Sequence, residues 1–161
     1  RWAWGVAPGT SRGGWAFQRL PTFDAAAFRR AVGESRPEPC RDVAAWGVDV
    51  SSRAVKAARE NLRRAGLADS VRLTVADAFA WEPPPGPGLV LVNPPYGGRI
   101  EASPDQWRRL GDLLKRSYRG WRAVVIAGDE GRGKHIGLRP SLRLPVRNGP
   151  IDARILRFDL Y

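Results

Sequence analysis

Apolar residues along this chain switch between two spacings, one suited to helices and one to strands. Asp24 can cap a helix over roughly 25–34, with Ala27, Phe28 and Ala31 on one side. Ala44–Val50 reads as a short buried strand, and Ser51 and Ser52 then offer an N-cap for a helix running to about Ala65. Val55, Ala58, Leu62 and Ala65 recur at spacings of 3, 4 and 3, which places them on one buried helical face, and Gly66 stops the helix. Val71–Ala76 alternates as a second strand. Leu89–Val92 is continuously apolar, as expected for a strand buried on both faces.

The segment Pro83–Gly88 is a stiff loop that continues neither helix nor strand. Ser103-Pro104 supplies an N-cap and an N1 proline for the next helix. Trp107, Leu110, Leu114 and Tyr118 form its buried stripe, and Arg108, Arg109, Lys115, Arg116 and Arg119 are expected on a solvated face, with RNA contact as the alternative. Ala123–Ala127 reads as a fourth strand. Apolar runs at Leu142–Val146 and Ile155–Leu160 flank Asn148-Gly149 and predict a terminal hairpin. Strands alternating with helices predict an α/β fold with a mostly parallel sheet, closed by an antiparallel pair. In such sheets ligands sit at the carboxyl ends of the strands.

Composition narrows the field. At 161 residues and 43% hydrophobic content, the chain suits one compact domain over 1–161. It has no run of about 18 apolar residues of the kind that spans a bilayer. Met is absent even at position 1, which suggests a stretch cut from a longer chain. Cys40 is the only cysteine and His135 the only histidine, so neither an internal disulfide nor a Cys/His metal site is expected. A reducing cytoplasm is compatible with that usage. The net charge of +11 favours a polyanionic partner. That signal is diluted by a bias in base composition: Lys56, Lys115 and Lys134 are the only lysines, and Ala, Gly and Pro abound.

The chemistry collects at strand ends. Asp49 ends one strand, Asp77 follows the next, and Asn93 follows the third. An acid after the second strand of a Rossmann-like sheet can accept both ribose hydroxyls of a nucleoside, a role that fits Asp49. Asp77 can accept an adenine amine, with Val50 and Ala78 sandwiching the ring. Strand-end acids also cap the next helix or turn, and that reading stays open for both.

Asn93-Pro94-Pro95-Tyr96 is the sharpest signal. Two prolines stiffen the loop, so the Asn93 side chain and the Pro94 carbonyl can be held as fixed acceptors. An exocyclic base amine is a poor nucleophile because its lone pair is delocalised into the ring. Acceptors that take its N–H bonds favour the pyramidal nitrogen that attacks a methyl sulfonium. Tyr96 offers a stacking face for an extruded base.

These four residues resemble the catalytic motif of amino-group methyltransferases, which use S-adenosylmethionine. Further matches are Val6-Ala7-Pro8-Gly9, Arg12, Trp15-Ala16-Phe17, Gly47-Val48-Asp49, Asn61, Ala65-Gly66, Asp77, Arg99, Gly120-Trp121, Gly137-Leu138-Arg139 and Asn148-Gly149. Together they resemble the large-subunit (23S) ribosomal RNA guanine-N2 methyltransferases, whose members carry an upstream THUMP RNA-binding domain. The resemblance implies a Rossmann-like S-adenosylmethionine-dependent methyltransferase fold acting on the N2 amine of a guanine in ribosomal RNA. It implies catalytic roles for Asn93, Pro94, Pro95 and Tyr96, and cofactor contacts from Asp49, Val50, Asp77, Ala78 and Asn93. It also implies RNA as partner, no membrane, and a cytoplasmic location.

The family's Asp-Pro-x-Cys-Gly-Ser-Gly-type loop, which wraps the methionine part of the cofactor, is absent from the sequence. The domain is therefore expected to be N-terminally incomplete, with its first strand missing. Arg12 and Arg99 are candidate RNA contacts, and Arg12 with Trp15 and Phe17 reads either as an RNA grip or as core. His135 reads as a surface residue. An adenine-N6 methyltransferase shares the motif, a release-factor glutamine methyltransferase fits less well, and a non-catalytic RNA-binding remnant is the alternative from another class.

Overall fold

The computed structural model of the chain describes residues 2–6, 12–34, 38–39, 43–94, 103–128 and 132–161. They fall into two compact units, Arg1–Ala78 and Phe79–Tyr161.

The first unit holds two short 3-10 helices, Trp2–Trp4 and Ala16–Arg19, then α1 (Ala25–Glu34), β1 (Ala45–Asp49), α2 (Ser52–Arg64) and β2 (Val71–Val75). Asp24 starts α1: its Oδ1 accepts from the backbone N–H of Ala26 and Ala27 at 2.8 and 3.0 Å. Ser51 starts α2, its Oγ accepting from Ala54 N–H at 3.2 Å. A cap of this kind contributes about 0.5–2 kcal/mol. Gly66, at φ +68°, ends α2 in the left-handed conformation that glycine tolerates. The amides of Gly66 and Leu67 close that end on the carbonyls of Arg63 and Leu62. Val55 is buried, and Ala58, Leu62 and Ala65 on the same face of α2 are half-buried. β1 and β2 run parallel, with Asp49 opposite Val75.

The second unit holds β3 (Leu89–Val92), α3 (Pro104–Ser117), β4 (Arg122–Gly128), a 3-10 helix at Arg132–Ile136, β5 (Leu142–Asn148) and β6 (Ile151–Asp159). Its four-stranded sheet has the order β3-β4-β6-β5. β3 and β4 are parallel, whereas β6 is antiparallel to both β4 and β5. Gly149, at φ +60°, makes the turn of the β5–β6 hairpin. α3 opens with a reciprocal cap in which Ser103 Oγ accepts from Gln106 N–H and Gln106 Oε1 accepts from Ser103 N–H. Trp107, Leu110, Leu113, Leu114 and Tyr118 then pack on Ala123, Val125, Ala127, Leu156, Phe158 and Leu160. Full burial of a large apolar side chain contributes about 1.5–3 kcal/mol, so this interface dominates the stability of the unit.

The element order and almost every boundary follow the hydrophobic pattern. The parallel pairs and the terminal antiparallel hairpin are both present, distributed over two sheets among the described residues. β3 departs from expectation. Val90 and Val92 pack on the core, but Leu89 and Leu91 are 53% and 70% exposed. The reason is the pleat: among the described residues the core cluster with α3 packs on the face that carries the two valines, and the leucines point to the opposite face.

Candidate functional site

β1 and β2 bring two of the predicted site residues to one sheet end. Asp49 is the last residue of β1, and its backbone carbonyl accepts from Ala76 N–H at 3.1 Å. That bond extends the parallel pairing one step and sets Asp77 next to the end of β1. The Asp49 carboxylate is exposed, and its Oδ1 accepts from Ser51 N–H at 2.7 Å. Asp49 thus does serve the turn into α2, as strand-end acids commonly do. A carboxylate has acceptor sites for about four hydrogen bonds, so one local bond leaves room for diol recognition. Val50 beside it is 70% exposed, an apolar side chain held in solvent at the strand end. Asp77 and Ala78 are exposed too.

Asn93 follows β3 in the second unit. Its side chain is exposed while Pro94 is half-buried. A buried-to-solvent transition at this point follows from the strand ending at Val92 and the proline denying a further ladder bond. Pro95, Tyr96 and Arg99 lie outside the described residues.

Arg12 is exposed, and its guanidinium sits 4.4 Å from the centroid of the Trp15 ring. Trp15 stacks with Phe17 at 5.9 Å, and Phe17 meets Phe23 and Phe28 at 5.9 and 5.4 Å. The segment is therefore a small aromatic cluster with a cation on its rim, and Phe17 remains 41% exposed. His135 is exposed in the 3-10 helix. Among the described residues no group of His, Cys, Asp or Glu is arranged to hold a metal ion. No helix among them is long and apolar enough to cross a membrane.

Sequence reasoning missed two contacts of α3. Arg109 and Arg116, expected on a solvated face, both reach Phe79: the Arg109 guanidinium lies 4.4 Å from the ring centroid, and Arg116 Nη2 donates to the Phe79 carbonyl at 3.4 Å. Their spacing of two helical turns is the only trace in the sequence. By contrast Arg108 pairs with Asp105, and Lys115 with Asp112, within the helix.

A family model described as the RMKL-like methyltransferase domain matches residues 3–157 and runs through both units. The chain belongs to that family. A Synechocystis protein named, provisionally, as an RNA methyltransferase is 35% identical, covering 97% of this chain and 42% of its own length. The ribosomal RNA large subunit methyltransferase K/L of Allochromatium vinosum is 34% identical, covering 96% of this chain and 22% of its own. This methyltransferase domain thus spans less than half the length of these relatives. Among solved structures, SMU.472, crystallised with SAH, superposes with a TM-score of 0.75 at 23% identity, over 98% of this chain and 42% of that one. A methylase-like protein from Clostridium difficile 630 gives the same TM-score at 21% identity, over 97% and 42%. Both likenesses establish a methyltransferase fold.

Proposed function

We propose that this methyltransferase domain transfers a methyl group from S-adenosylmethionine to the exocyclic N2 amine of a guanine in large-subunit ribosomal RNA. The observation that carries the reading is the pairing of β1 with β2, which sets Asp49 and Asp77 side by side at the carboxyl ends of adjacent parallel strands. Family membership and the names of the K/L relatives support RNA as the substrate class. The net charge of +11 agrees with a polyanionic partner. A ribosomal RNA substrate implies work in the cytoplasm.

The residues fit the cofactor's adenosine. Asp49 keeps acceptor capacity for the ribose diol, Asp77 is a second carboxylate for the adenine amine, and exposed Val50 and Ala78 are apolar surfaces for the ring. When bound, the cofactor supplies a methyl group on a positively charged sulfur. Asn93 and the Pro94 carbonyl would accept hydrogen bonds from the target amine and so turn its lone pair toward the methyl donor. The amine nitrogen would lose one proton to solvent as it takes the methyl. Positioning accounts for most of the rate, because no titrating base is needed to hold the amine in line. Pro95 and Tyr96 complete the loop in this reading, with Tyr96 stacking on the extruded base. Arg12, exposed above Trp15, and Arg99 would meet RNA phosphates.

The test is to incubate the protein with labelled cofactor and ribosomal RNA, then digest the RNA to nucleosides. N2-methylguanosine is the expected product. N6-methyladenosine would replace the guanine assignment with an adenine one. RNA binding that weakens with salt, without any cofactor affinity, would leave only a non-catalytic RNA-binding remnant.

A further inference from the structure

Three strands of the second unit point the same way. β3 and β4 are parallel, and β6 runs against both β4 and β5, so β5 shares their direction. The turn between Asn148 and Ile151 therefore lies at the same end of the sheet as Asn93 and the end of β4 at Gly128. By register, Asn93 is level with Ile126, Ile155 and Leu144. Arg147 stands about 10 Å further along β5 and, across the sheet order β3-β4-β6-β5, about 14 Å to the side.

One face of β5 is cationic. Arg143, Pro145 and Arg147 alternate along it, so they share a face, with the two arginines about 13 Å apart along the strand. Both arginines are exposed. Arg143 forms no ion pair or side-chain hydrogen bond among the described residues. Arg147 meets its cross-strand neighbour Asp152 at 3.6 Å, with side chains 76% and 73% exposed, and a pair so open to water holds its arginine weakly. An open groove of about 280 Å³ runs alongside, its walls including Pro145, Arg147 and Asp152. β5 ends the sheet among the described residues, and Pro145 has no N–H to offer a further strand. Its edge is thus ill suited to strand pairing, while its arginines stay accessible.

We propose that Arg143 and Arg147 form a contact surface for RNA phosphates, holding the strand that flanks the target nucleotide while Asn93 holds its amine. The inference rests on the RNA substrate and the role of Asn93 given above. The spacing favours a polyanion: two cations about 13 Å apart cannot close on one phosphate, but they can meet separate phosphates of one chain. Such contacts fix register and orientation without reading bases, which suits residues set to one side of the reacting centre. Asp152 is the opposing feature. Its carboxylate repels phosphate and competes for Arg147, so RNA must displace it, and its removal should strengthen the contact.

The test measures binding of large-subunit ribosomal RNA across a salt series. Arg143→Gln and Arg147→Gln should each weaken binding roughly three- to tenfold at moderate salt and lower the slope of log affinity against log salt by about 0.7–0.9. Asp152→Asn should tighten binding. Arg119→Gln removes the same charge from an exposed turn before β4, at the opposite end of the sheet. It should keep the slope and hold affinity within about twofold of the wild type. The proposal is overturned if Arg143→Gln and Arg147→Gln bind as the wild type does. It is overturned equally if Arg119→Gln weakens binding as much as they do, because net charge alone would then explain the loss. Either result leaves the methyl-transfer reading standing where the wild type forms N2-methylguanosine. A wild type that binds no RNA overturns the RNA substrate itself, and this inference with it.

Discussion

The carbonyl group of Ile136 occupies the space where a side chain on Gly111 would begin. A Cβ built on Gly111 would run into the Ile136 oxygen and stand 2.8 Å from its carbonyl carbon. Gly111 lies in α3 and is buried, and Ile136, 1% exposed, ends the 3-10 helix that follows β4. The two backbones touch because neither has a side chain between them. That contact fixes the 3-10 helix against α3 and lets Ile136 reach the core.

Two effects compete at Gly111. In an isolated helix, alanine is favoured over glycine by about 1 kcal/mol. Here the obstacle is backbone rather than the end of a flexible side chain, so the packed helices must part. Overpacking a close-fitted core costs about 1–3 kcal/mol, and the rigid obstacle puts this site at the upper end. Gly111→Ala is therefore expected to lower stability by about 2 kcal/mol net in urea unfolding. A variant as stable as the wild type would show that the two helices do not meet here.

The hydrophobic pattern made most of this architecture legible. α3 announced itself twice, by Ser103-Pro104 at its start and by the stripe from Trp107 to Tyr118, and both features hold. The hairpin was visible in Asn148-Gly149 because a tight turn needs a residue that tolerates positive φ. The short 3-10 helices were not visible, since three to five residues carry no period. Exposure of Leu91 was illegible for another reason: an apolar run says that a strand can be buried, not how many faces its neighbours cover. At the site, the adjacency of Asp49 and Asp77 followed from parallel pairing alone. The grip of Arg109 on Phe79 did not, because it joins residues far apart in sequence through a contact that only the fold creates.

Asp49 offers a separation of binding from folding. Hydrogen bonds to a charged acceptor contribute about 1.5–3 kcal/mol, so Asp49→Ala should weaken S-adenosylmethionine binding about 10- to 100-fold in calorimetry. The same change removes the acceptor for Ser51 N–H, a local bond at an exposed turn that contributes about 1 kcal/mol or less to stability. A large loss of stability with unchanged affinity would make Asp49 a turn residue and nothing more.

Glu60 links stability to pH. Its carboxylate accepts from Arg63 Nε and Nη2 at 2.9 and 2.8 Å and from Arg64 Nε at 3.0 Å. The hydrogen bonds from Arg63, with those of Arg64 adding to them against an opposing desolvation, lower its pKa from 4.5 to about 2. A folded-state pKa below the unfolded one means that the contribution is complete above about pH 4.5. It is lost progressively as the pH falls from there through about 2. Glu60→Gln should accordingly remove the pairing's contribution at neutral pH and flatten the acid limb of a stability profile between those limits, the two chains converging at low pH. A carboxyl resonance of Glu60 that titrates near 4.5 would refute the pairing.

Asn93 tests whether the motif loop works through an acceptor. Its side chain is exposed, so Asn93→Ala should leave folding within about 0.5 kcal/mol of the wild type. Loss of a fixed polar group aimed at a reacting centre typically costs 10²–10³ in turnover, about the effect expected here. Asn93→Asp separates the two halves of the amide. Aspartate keeps oxygens that accept the amine's N–H bonds and discards the amide N–H donors. If accepting is what matters, the aspartate variant should retain clearly more activity than the alanine one in single-turnover methylation of ribosomal RNA. Equal loss in both variants would mean that the donor half of Asn93, rather than its oxygen, serves the reaction.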